Sequence, residues 1–309
     1  MNERYPIPRT LNLVIAAAQI TVLLAILSLT AIDISWWGTL LLAVAYAVAM
    51  NSAYAMLHEA EHNLFHPNRR INTVAGVALA LFFPAPFHLL RQGHIGHHRR
   101  NRSDDEAFDF YFEGESAVWK NLQLYGILTG LFWVVIVMSN LIAVFRPRLL
   151  CADSAKSAAF DRSTEALIET LNPKYLLLIW LEALAVFFFH GGLIWLLGIP
   201  LWRYGAVLFG FGFVWSAMQY VHHFGTVRDV REGARNLRAF ALLDLIWLNH
   251  NWHLNHHMRP TVPWIHLPHL NSGEETERAN MIGAYIRMWR GPRKTMSRVE
   301  NRYAGKIIR

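Results

Sequence analysis

The chain has 309 residues, of which 54% are hydrophobic and only 17% are charged, with a formal net charge of +7. Soluble domains contain roughly a quarter charged residues, so this composition favours a membrane protein. It excludes a disordered or collagen-like chain, and a single cysteine, Cys151, excludes an intrachain disulfide framework. The basic residues are spread over several polar connections and not over one aromatic-studded face, so we expect no nucleic acid partner.

Four apolar segments are predicted to cross a membrane. They are residues 11–32, 36–57, 175–198 and 201–221. The first runs for 22 positions without a charge, which is long enough to span a bilayer. Asp33 and the Trp36-Trp37 pair follow it where a signal peptide would have a small-residue cleavage site. We therefore predict a transmembrane hairpin at the start of the chain.

Two further apolar segments are predicted not to cross. Residues 71–90 contain Pro84, which is incompatible with the interior of a regular helix. Residues 121–145 are long enough to cross, but a parity argument opposes it. If all the histidine motifs lie on one side, the chain between His98 and His223 must cross an even number of times. With two spans already in that interval, residues 121–145 must return to the side from which they start.

Most lysines and arginines lie in the N-terminal segment, in the connections 91–120 and 146–174, and in the tail 224–309. By the positive-inside tendency these parts face the cytoplasm. We therefore expect an all-α integral membrane protein with about four transmembrane helices and a cytoplasmic helical cap that carries a His-rich di-metal site. Residues 1–309 would form one domain, and the predicted location is a bacterial inner membrane.

Three histidine motifs carry the strongest functional signal. The first box is His58-Glu-Ala-Glu-His62, and two HxxHH sequences form the second and third boxes. Their eight histidines are His58, His62, His94, His97, His98, His253, His256 and His257. On a helix, positions i, i+3 and i+4 lie on one face, so each HxxHH is predicted to present three imidazoles to one point. Eight imidazoles exceed the needs of one tetrahedral ion, so two metal ions are predicted.

HxxxH, HxxHH and HxxHH in this order on a multi-span chain resemble the membrane fatty acid desaturase and hydroxylase superfamily. The resemblance covers about residues 36–270, and residues 248–268 are similar to the C-terminal signature of the superfamily. It implies a membrane-bound non-haem di-iron oxidoreductase with two iron ions as cofactor and O2 as co-substrate. The implied substrate is a fatty acyl chain in the membrane. Since the chain shows no cytochrome domain and no flavin or nicotinamide fingerprint, a separate ferredoxin- or cytochrome-like donor with its reductase is expected.

The resemblance also implies a ninth ligand. Members carry a histidine at the cytoplasmic end of the last span, four residues after an Asn that contacts iron through water. Here His223 matches that ligand, and Gln219 stands at the Asn position, where its side chain reaches one methylene further. The adjacent His222 is expected to have a supporting role. Because acidic residues commonly follow the second box in the superfamily, Asp104 and Asp105 are the preferred partners of the ligand histidines. Other acidic candidates are Glu59, Glu61, Glu106 and Asp244.

Several alternatives remain open from the sequence. Desaturation is preferred, but hydroxylation, ketolation and oxidative decarboxylation of a fatty acid to a terminal alkene use the same boxes. The string His58-Glu59-Ala-Glu-His62 also matches the HExxH motif of zinc proteases, in which the glutamate is the general base. That alternative leaves six clustered histidines unexplained. A metal transporter would place its ligands near the middle of the bilayer, and a bis-histidine haem protein needs single facing histidines. Isolated histidines are expected to be hydrogen-bonded core or interfacial residues; they are His66, His88 and His190.

Overall fold

The structure is a computed structural model that describes residues 5–151, 161–270 and 277–308, so residues 271–276 of the predicted tail lie outside it. It is mostly helical. The longer helices are α1 (Arg9–Leu29), α2 (Trp36–Glu61), α3 (Arg69–Phe82), α4 (Phe87–Arg100), α5 (Ala117–Leu128), α6 (Leu131–Phe145), α8 (Leu176–Leu197) and α9 (Leu201–Val221). The shorter helices are α7 (Arg162–Ile168), α10 (Ala241–Ile246), α11 (His253–Met258) and α12 (Met281–Met288). Short 3-10 turns cover Pro147–Leu150, Pro173–Tyr175 and Trp264–His269.

Four short strands depart from the all-α expectation. Strand β1 (Phe110–Tyr111) pairs in parallel with β4 (Arg293–Lys294), and β2 (Asn236–Arg238) pairs in parallel with β3 (Arg278–Asn280). Each pair joins segments that are far apart in sequence and whose backbone groups have no partners within a helix. The two pairs attach the C-terminal part of the chain to the loops that follow α4 and α9.

Among the described residues, three helices are by themselves long and apolar enough to cross a membrane. They are α1, α2 and α8 with its preceding turn. Helix α9 is 21 residues long and packs along α2, and its crossing stays a prediction. Two consecutive pairs, α3–α4 and α5–α6, are bent by 98° and 89°, so the total would be five if each bent pair were one span.

The break between α3 and α4 falls at residues 83–86, where the prolines predict it. The carbonyl of Leu81 at the end of α3 accepts a hydrogen bond from His190 Nε2 at 2.7 Å. At the start of α4, the carboxylate of Glu182 accepts bonds from the backbone N–H and the Nδ1 of His88 at 2.9 and 2.6 Å. Neighbouring helices thus satisfy backbone groups that the break between the two helices leaves without helical partners. His66 Nδ1 likewise accepts from a backbone N–H, so all three isolated histidines are hydrogen-bonded, as predicted.

The bend between α5 and α6 depends on Gly130. Its φ is +93°, and a Cβ atom there would lie 2.9 Å from the ring of Phe209 on α9. Any other residue would therefore be strained and would collide with α9. The hydroxyl of Ser216 on α9 donates to the carbonyl of Ile127 at 2.7 Å, which satisfies one of the last acceptors of α5.

Helix α2 lies at the centre of the molecule and packs against α1, α3 and α9. Its second half is buried almost without interruption, from Met50 to Glu61. The ends of α2, α4 and α9 meet at one end of this bundle, and α11 covers them. This meeting point contains the histidine motifs.

Candidate metal centre

The fold gathers all nine histidines that the sequence analysis selected, although their boxes lie on different elements. The first box occupies the end of α2, with His62 just beyond the last residue of the helix. The second box lies in the last two turns of α4, and the third forms α11. His223 follows α9 in a tight turn in which its N–H donates to the carbonyl of Tyr220 at 3.0 Å.

The nine side chains form two adjacent groups. Within each group the ligand atoms all lie within 4.8 Å of one another. The five-histidine group contains His58, His62, His94, His98 and His256. The four-histidine group contains His97, His223, His253 and His257.

The expectation that each HxxHH presents three imidazoles to one point is wrong. In the second box, His94 and His98 enter the five-histidine group, whereas His97 enters the four-histidine group. Successive residues on a helix are rotated by about 100°, so positions i and i+4 are about 40° apart, whereas i+3 lies on the other side of position i. Two adjacent histidines therefore diverge, and each HxxHH serves both groups.

The ring nitrogens have the arrangement expected of metal ligands. In the five-histidine group, the Nε2 of His94 lies 2.7 Å from that of His62 and 3.0 Å from that of His98. The Nε2 of His58 is buried and has no hydrogen-bond partner among the described residues. One imidazole nitrogen cannot share a hydrogen with several others at once. A cation between these converging lone pairs would satisfy them together, so the residues fit a bound metal ion.

In the four-histidine group, acceptors hold the Nδ1 atoms of two histidines. His97 Nδ1 donates to the Glu106 carboxylate at 2.9 Å, and His223 Nδ1 donates to the carbonyl of Gly233 at 2.7 Å. A histidine that donates from Nδ1 leaves an unprotonated Nε2 when it is neutral. The Nε2 of His223 accordingly faces that of His253 at 3.1 Å. These contacts fix the tautomer that a metal ion requires.

Electrostatics keep the histidines of the third box neutral. Burial, followed by repulsion from neighbouring imidazoles, lowers the pKa of His253, His256 and His257 well below the usual value. Burial alone would raise the pKa of Glu106, but Arg100 and His97 beside it lower that pKa below the usual value. The site therefore combines uncharged imidazoles with an ionised carboxylate behind them.

Glu106, and neither Asp104 nor Asp105, contacts a ligand histidine. Asp104 accepts from the guanidinium of Arg228 and from the N–H of Val299. The carboxylate of Asp105 accepts from Arg162 at 2.6 Å and from Asn301 at 2.9 Å. The chain turns sharply after α4, so the first two carboxylates face the C-terminal segment and α7, and only the third returns to His97.

A buried ion pair attaches this loop to the end of α9. Arg102 and Asp109 are fully buried and lie 2.6 Å apart. The same carboxylate accepts from the hydroxyl of Tyr220 at 2.5 Å and from the N–H of Gly225 at 2.7 Å. His223 lies between these two partners in sequence. The pair thus holds the loop after the second box against the turn that carries the ninth histidine.

Gln219 lines a cavity of about 20 Å³ together with His222, His250 and His253. A cavity of this size accommodates about one water molecule. The ring of His222 lies 4.4 Å from that of His253, and its Nδ1 donates to the backbone carbonyl of Arg235. Its supporting role stays a prediction. The water-mediated contact of Gln219 stays a prediction.

His250 is a site residue that the sequence analysis missed. Its ring stands edge-on to that of His58 at 4.7 Å and lies 5.7 Å from that of His253, so it contacts a member of each group. Burial lowers its pKa to about 4. Its position three residues before His253 is the only signal in the sequence. That spacing does not imply a shared helix face here, because α11 begins at His253.

The Fatty acid desaturase family model matches residues 34–289, which include both histidine groups. No curated protein matches the chain. Since the match covers most of the chain, the protein belongs to the fatty acid desaturase family. The resemblance that the three boxes indicate is therefore confirmed.

Proposed function

We propose that this member of the fatty acid desaturase family is a membrane-bound di-iron oxidoreductase that desaturates a fatty acyl chain. One iron ion would be held by the five-histidine group and the other by the four-histidine group. The observation that carries the proposal is the convergence of nine imidazoles on two adjacent points. Imidazole ligands suit iron, and membership of the family favours iron over other metals that imidazole binds.

The protein supplies the ligand geometry and a dry site. His58, His223 and His256 are no more than 4% exposed, so bulk water is excluded from these three rings, whereas the side chain of His97 is 27% exposed. Glu106 and the Gly233 carbonyl orient the rings from behind. Bound iron would supply the redox chemistry that turns O2 into an oxidant for an unactivated C–H bond.

Desaturation removes two hydrogens from adjacent carbons and forms a C=C bond. Together with two electrons and two protons from outside the chain, these hydrogens reduce O2 to two molecules of water. A separate ferredoxin- or cytochrome-like donor and its reductase would deliver the electrons. Hydroxylation, ketolation or oxidative decarboxylation to a terminal alkene would consume O2 and electrons at the same site, so the product distinguishes these reactions.

The zinc protease reading of the first box is disfavoured by the position of Glu59. Its carboxylate accepts a hydrogen bond from the N–H of Trp264 at 3.2 Å. A general base for peptide hydrolysis has to reach a metal-bound water. A protease site would also use only the two histidines of the first box and one further ligand, which leaves the remaining imidazoles without a role.

We further propose that α1, α2, α8 and α9 cross the membrane and that both bent pairs return to the side they start from. Helix α8 begins, and α9 ends, near the histidines. The carbonyl of Val144 on α6 accepts a hydrogen bond from the indole of Trp180, which lies four residues after the start of α8. Trp133 on α6 packs on Gly212, which lies nine residues before the end of α9. At about 1.5 Å per residue, Trp180 lies roughly 6 Å from the start of α8 and Gly212 roughly 14 Å from the end of α9. Helix α6 therefore stays in one half of the bundle.

The proposed orientation has the histidine-bearing end on the cytoplasmic side, which the distribution of lysine and arginine favours. Cys151, just after α6, tests this arrangement as a native probe. A membrane-impermeant thiol reagent should leave Cys151 unlabelled in intact cells and label it after permeabilisation. Labelling in intact cells would show that α6 reaches the outer side.

Metal and product analysis test the proposed function. Gently purified protein should contain about two irons per chain and no stoichiometric zinc. Membranes that contain the protein should convert a supplied fatty acyl lipid to a product lighter by two hydrogens, detected by mass spectrometry. One zinc with negligible iron would refute the di-iron proposal, and a product with an added oxygen or a lost carboxyl group would refute desaturation alone.

A further inference from the structure

Helix α1 lies outside the residues that the family model matches, yet one of its side chains bonds two segments that flank the first and third histidine boxes. Asn12 is fully buried, one turn into the helix. Its Nδ2 donates to the carbonyl of Phe65 at 2.9 Å, and its Oδ1 accepts from Trp264 Nε1 at 3.0 Å. The amide thus uses a donor and an acceptor to connect two segments that are far apart in sequence.

The first of these segments continues the first box. Phe65 lies three residues after His62, in a loop whose backbone is bonded to the end of α2. The N–H of Leu64 donates to the carbonyl of Glu59 at 2.7 Å, and Asn72 Nδ2 donates to that of Ala60 at 2.8 Å. The Phe65 carbonyl is therefore rigidly connected to the turn that carries His58 and His62.

The second segment leads to the third box. Trp264 opens the 3-10 turn Trp264–His269, and the carbonyl of Leu267 in this turn accepts from Asn255 Nδ2 at 2.8 Å. Asn255 is fully buried and directly precedes His256. This segment also contacts the first box, because the backbone N–H of Trp264 donates to the carboxylate of Glu59.

We propose that Asn12 is a positioning residue for the five-histidine group. This group takes His58 and His62 from the first box and His256 from the third, whereas the four-histidine group takes no ligand from the first box. A connection between these two boxes therefore sets the distance between ligands of one group only. The inference rests on the proposed function, because it assumes that both groups bind iron.

Helix α1 also offers a matched control. Gln19 lies seven residues after Asn12, on the same face of the helix, and is also buried. Its Nε2 donates to the hydroxyl of Ser52 on α2 at 2.9 Å, away from the boxes. Asn12→Leu and Gln19→Met each replace a buried amide by an apolar side chain of similar shape. Both changes affect the contact of α1 with its surroundings, but only the first affects the connection between the boxes.

The first measurement is iron per chain after dialysis against a chelator, with thermal unfolding measured in parallel. Wild type and Gln19→Met should retain about two irons, and Asn12→Leu about one, because a shift of the first box relative to the third separates the ligands of the five-histidine group and weakens its binding of iron. Trp264→Phe removes the indole N–H from the other end of the connection and should show the same loss if Asn12→Leu does not fold. If folded Asn12→Leu or Trp264→Phe retained both irons, Asn12 would have no positioning role.

Double variants assign the loss to one group. In a His97→Ala background the remaining iron occupies the five-histidine group, so Asn12→Leu should remove it. In a His256→Ala background the remaining iron occupies the four-histidine group, and Asn12→Leu should leave it in place. The opposite pattern, or equal loss in both backgrounds, would overturn the inference. A wild-type protein without two irons would instead refute the proposed function.

Discussion

The two histidine groups are built from the same motifs in opposite ways. The second box sends its i and i+4 histidines to the five-histidine group and its i+3 histidine to the four-histidine group, and the third box does the reverse. The first box completes one group with two ligands, and His223 completes the other with one. Two helical segments with one sequence pattern thus produce an approximately two-fold arrangement with an unequal number of ligands.

The surroundings of the two groups differ as well. In the five-histidine group, His94 Nδ1 lies 4.0 Å from the carboxylate of Glu61, beyond hydrogen-bond distance. In the four-histidine group, Glu106 and Gly233 hold two rings directly, and the cavity with Gln219 lies beside His253. A site with four ligands leaves more coordination positions open than a site with five. We therefore expect the four-histidine group to hold the iron with an exchangeable ligand.

Loss of a ligand histidine should have the largest effect. His256→Ala removes a member of the five-histidine group, and His97→Ala removes a member of the four-histidine group. Each variant should lower product formation by more than about 100-fold, which exceeds the loss typical of a group that hydrogen-bonds a metal ligand. Each should also reduce the iron content by about one ion per chain. Product analysis and elemental analysis of the same preparation check both expectations.

His66→Ala is the control for these variants, since among the described residues the His66 side chain bonds only the backbone N–H of Asn68. The His66→Ala variant should retain the wild-type iron content and the wild-type turnover. Near-normal turnover of both ligand variants, with membrane insertion intact, would show that these histidines are not ligands.

The carboxylates behind the rings should have an intermediate effect. Glu106→Gln replaces an ionised acceptor at 2.9 Å from His97 Nδ1 by a neutral amide, so we expect iron binding at the four-histidine group to weaken by about tenfold. Glu61→Gln should weaken binding less, because its carboxylate lies 4.0 Å from His94. Iron retained against increasing chelator concentration measures both effects.

Asp105→Asn serves as the comparison for the carboxylate variants, because Asp105 is adjacent to Glu106 but pairs with Arg162 and Asn301. It should leave iron retention unchanged. A larger loss of iron in Glu61→Gln than in Glu106→Gln would contradict this prediction. It would show that the Glu61 carboxylate near His94 supports iron binding more than the Glu106 carboxylate beside His97.

Replacement of Gln219 should disturb the site least, because it should change turnover without loss of iron. If its amide holds a water on the neighbouring iron, Gln219→Leu should lower turnover per bound iron by about tenfold, within the range for outer partners. Gln219→Asn restores the residue usual in the family and should retain substantial activity. Turnover normalised to iron separates this role from a purely structural hydrogen bond, for which the Leu variant would lose yield but keep its turnover per iron.

Motif spacing identified eight of the nine histidines of the two groups, because metal ligands on helices must recur at short, regular intervals, and the family resemblance supplied the ninth, His223. The choice among acidic residues failed for a different reason. Asp104, Asp105 and Glu106 are consecutive, and a one-residue change in position reverses the direction of a side chain in a turn. Only the path of the chain after α4 decides which of them faces His97, and that path depends on distant partners such as Val299 and Asn301.

The sequence by itself determined the apolar helical architecture, the family and the eight histidines of the three boxes, since these depend on the length of apolar segments and on local spacing. The tertiary structure alone decided how the HxxHH boxes divide between the two groups and which side chains support them. Asn12 illustrates the difference: it lies 252 residues from Trp264 in sequence and is bonded to it in the fold. Contacts of this kind depend on how helices pack, which no local pattern encodes.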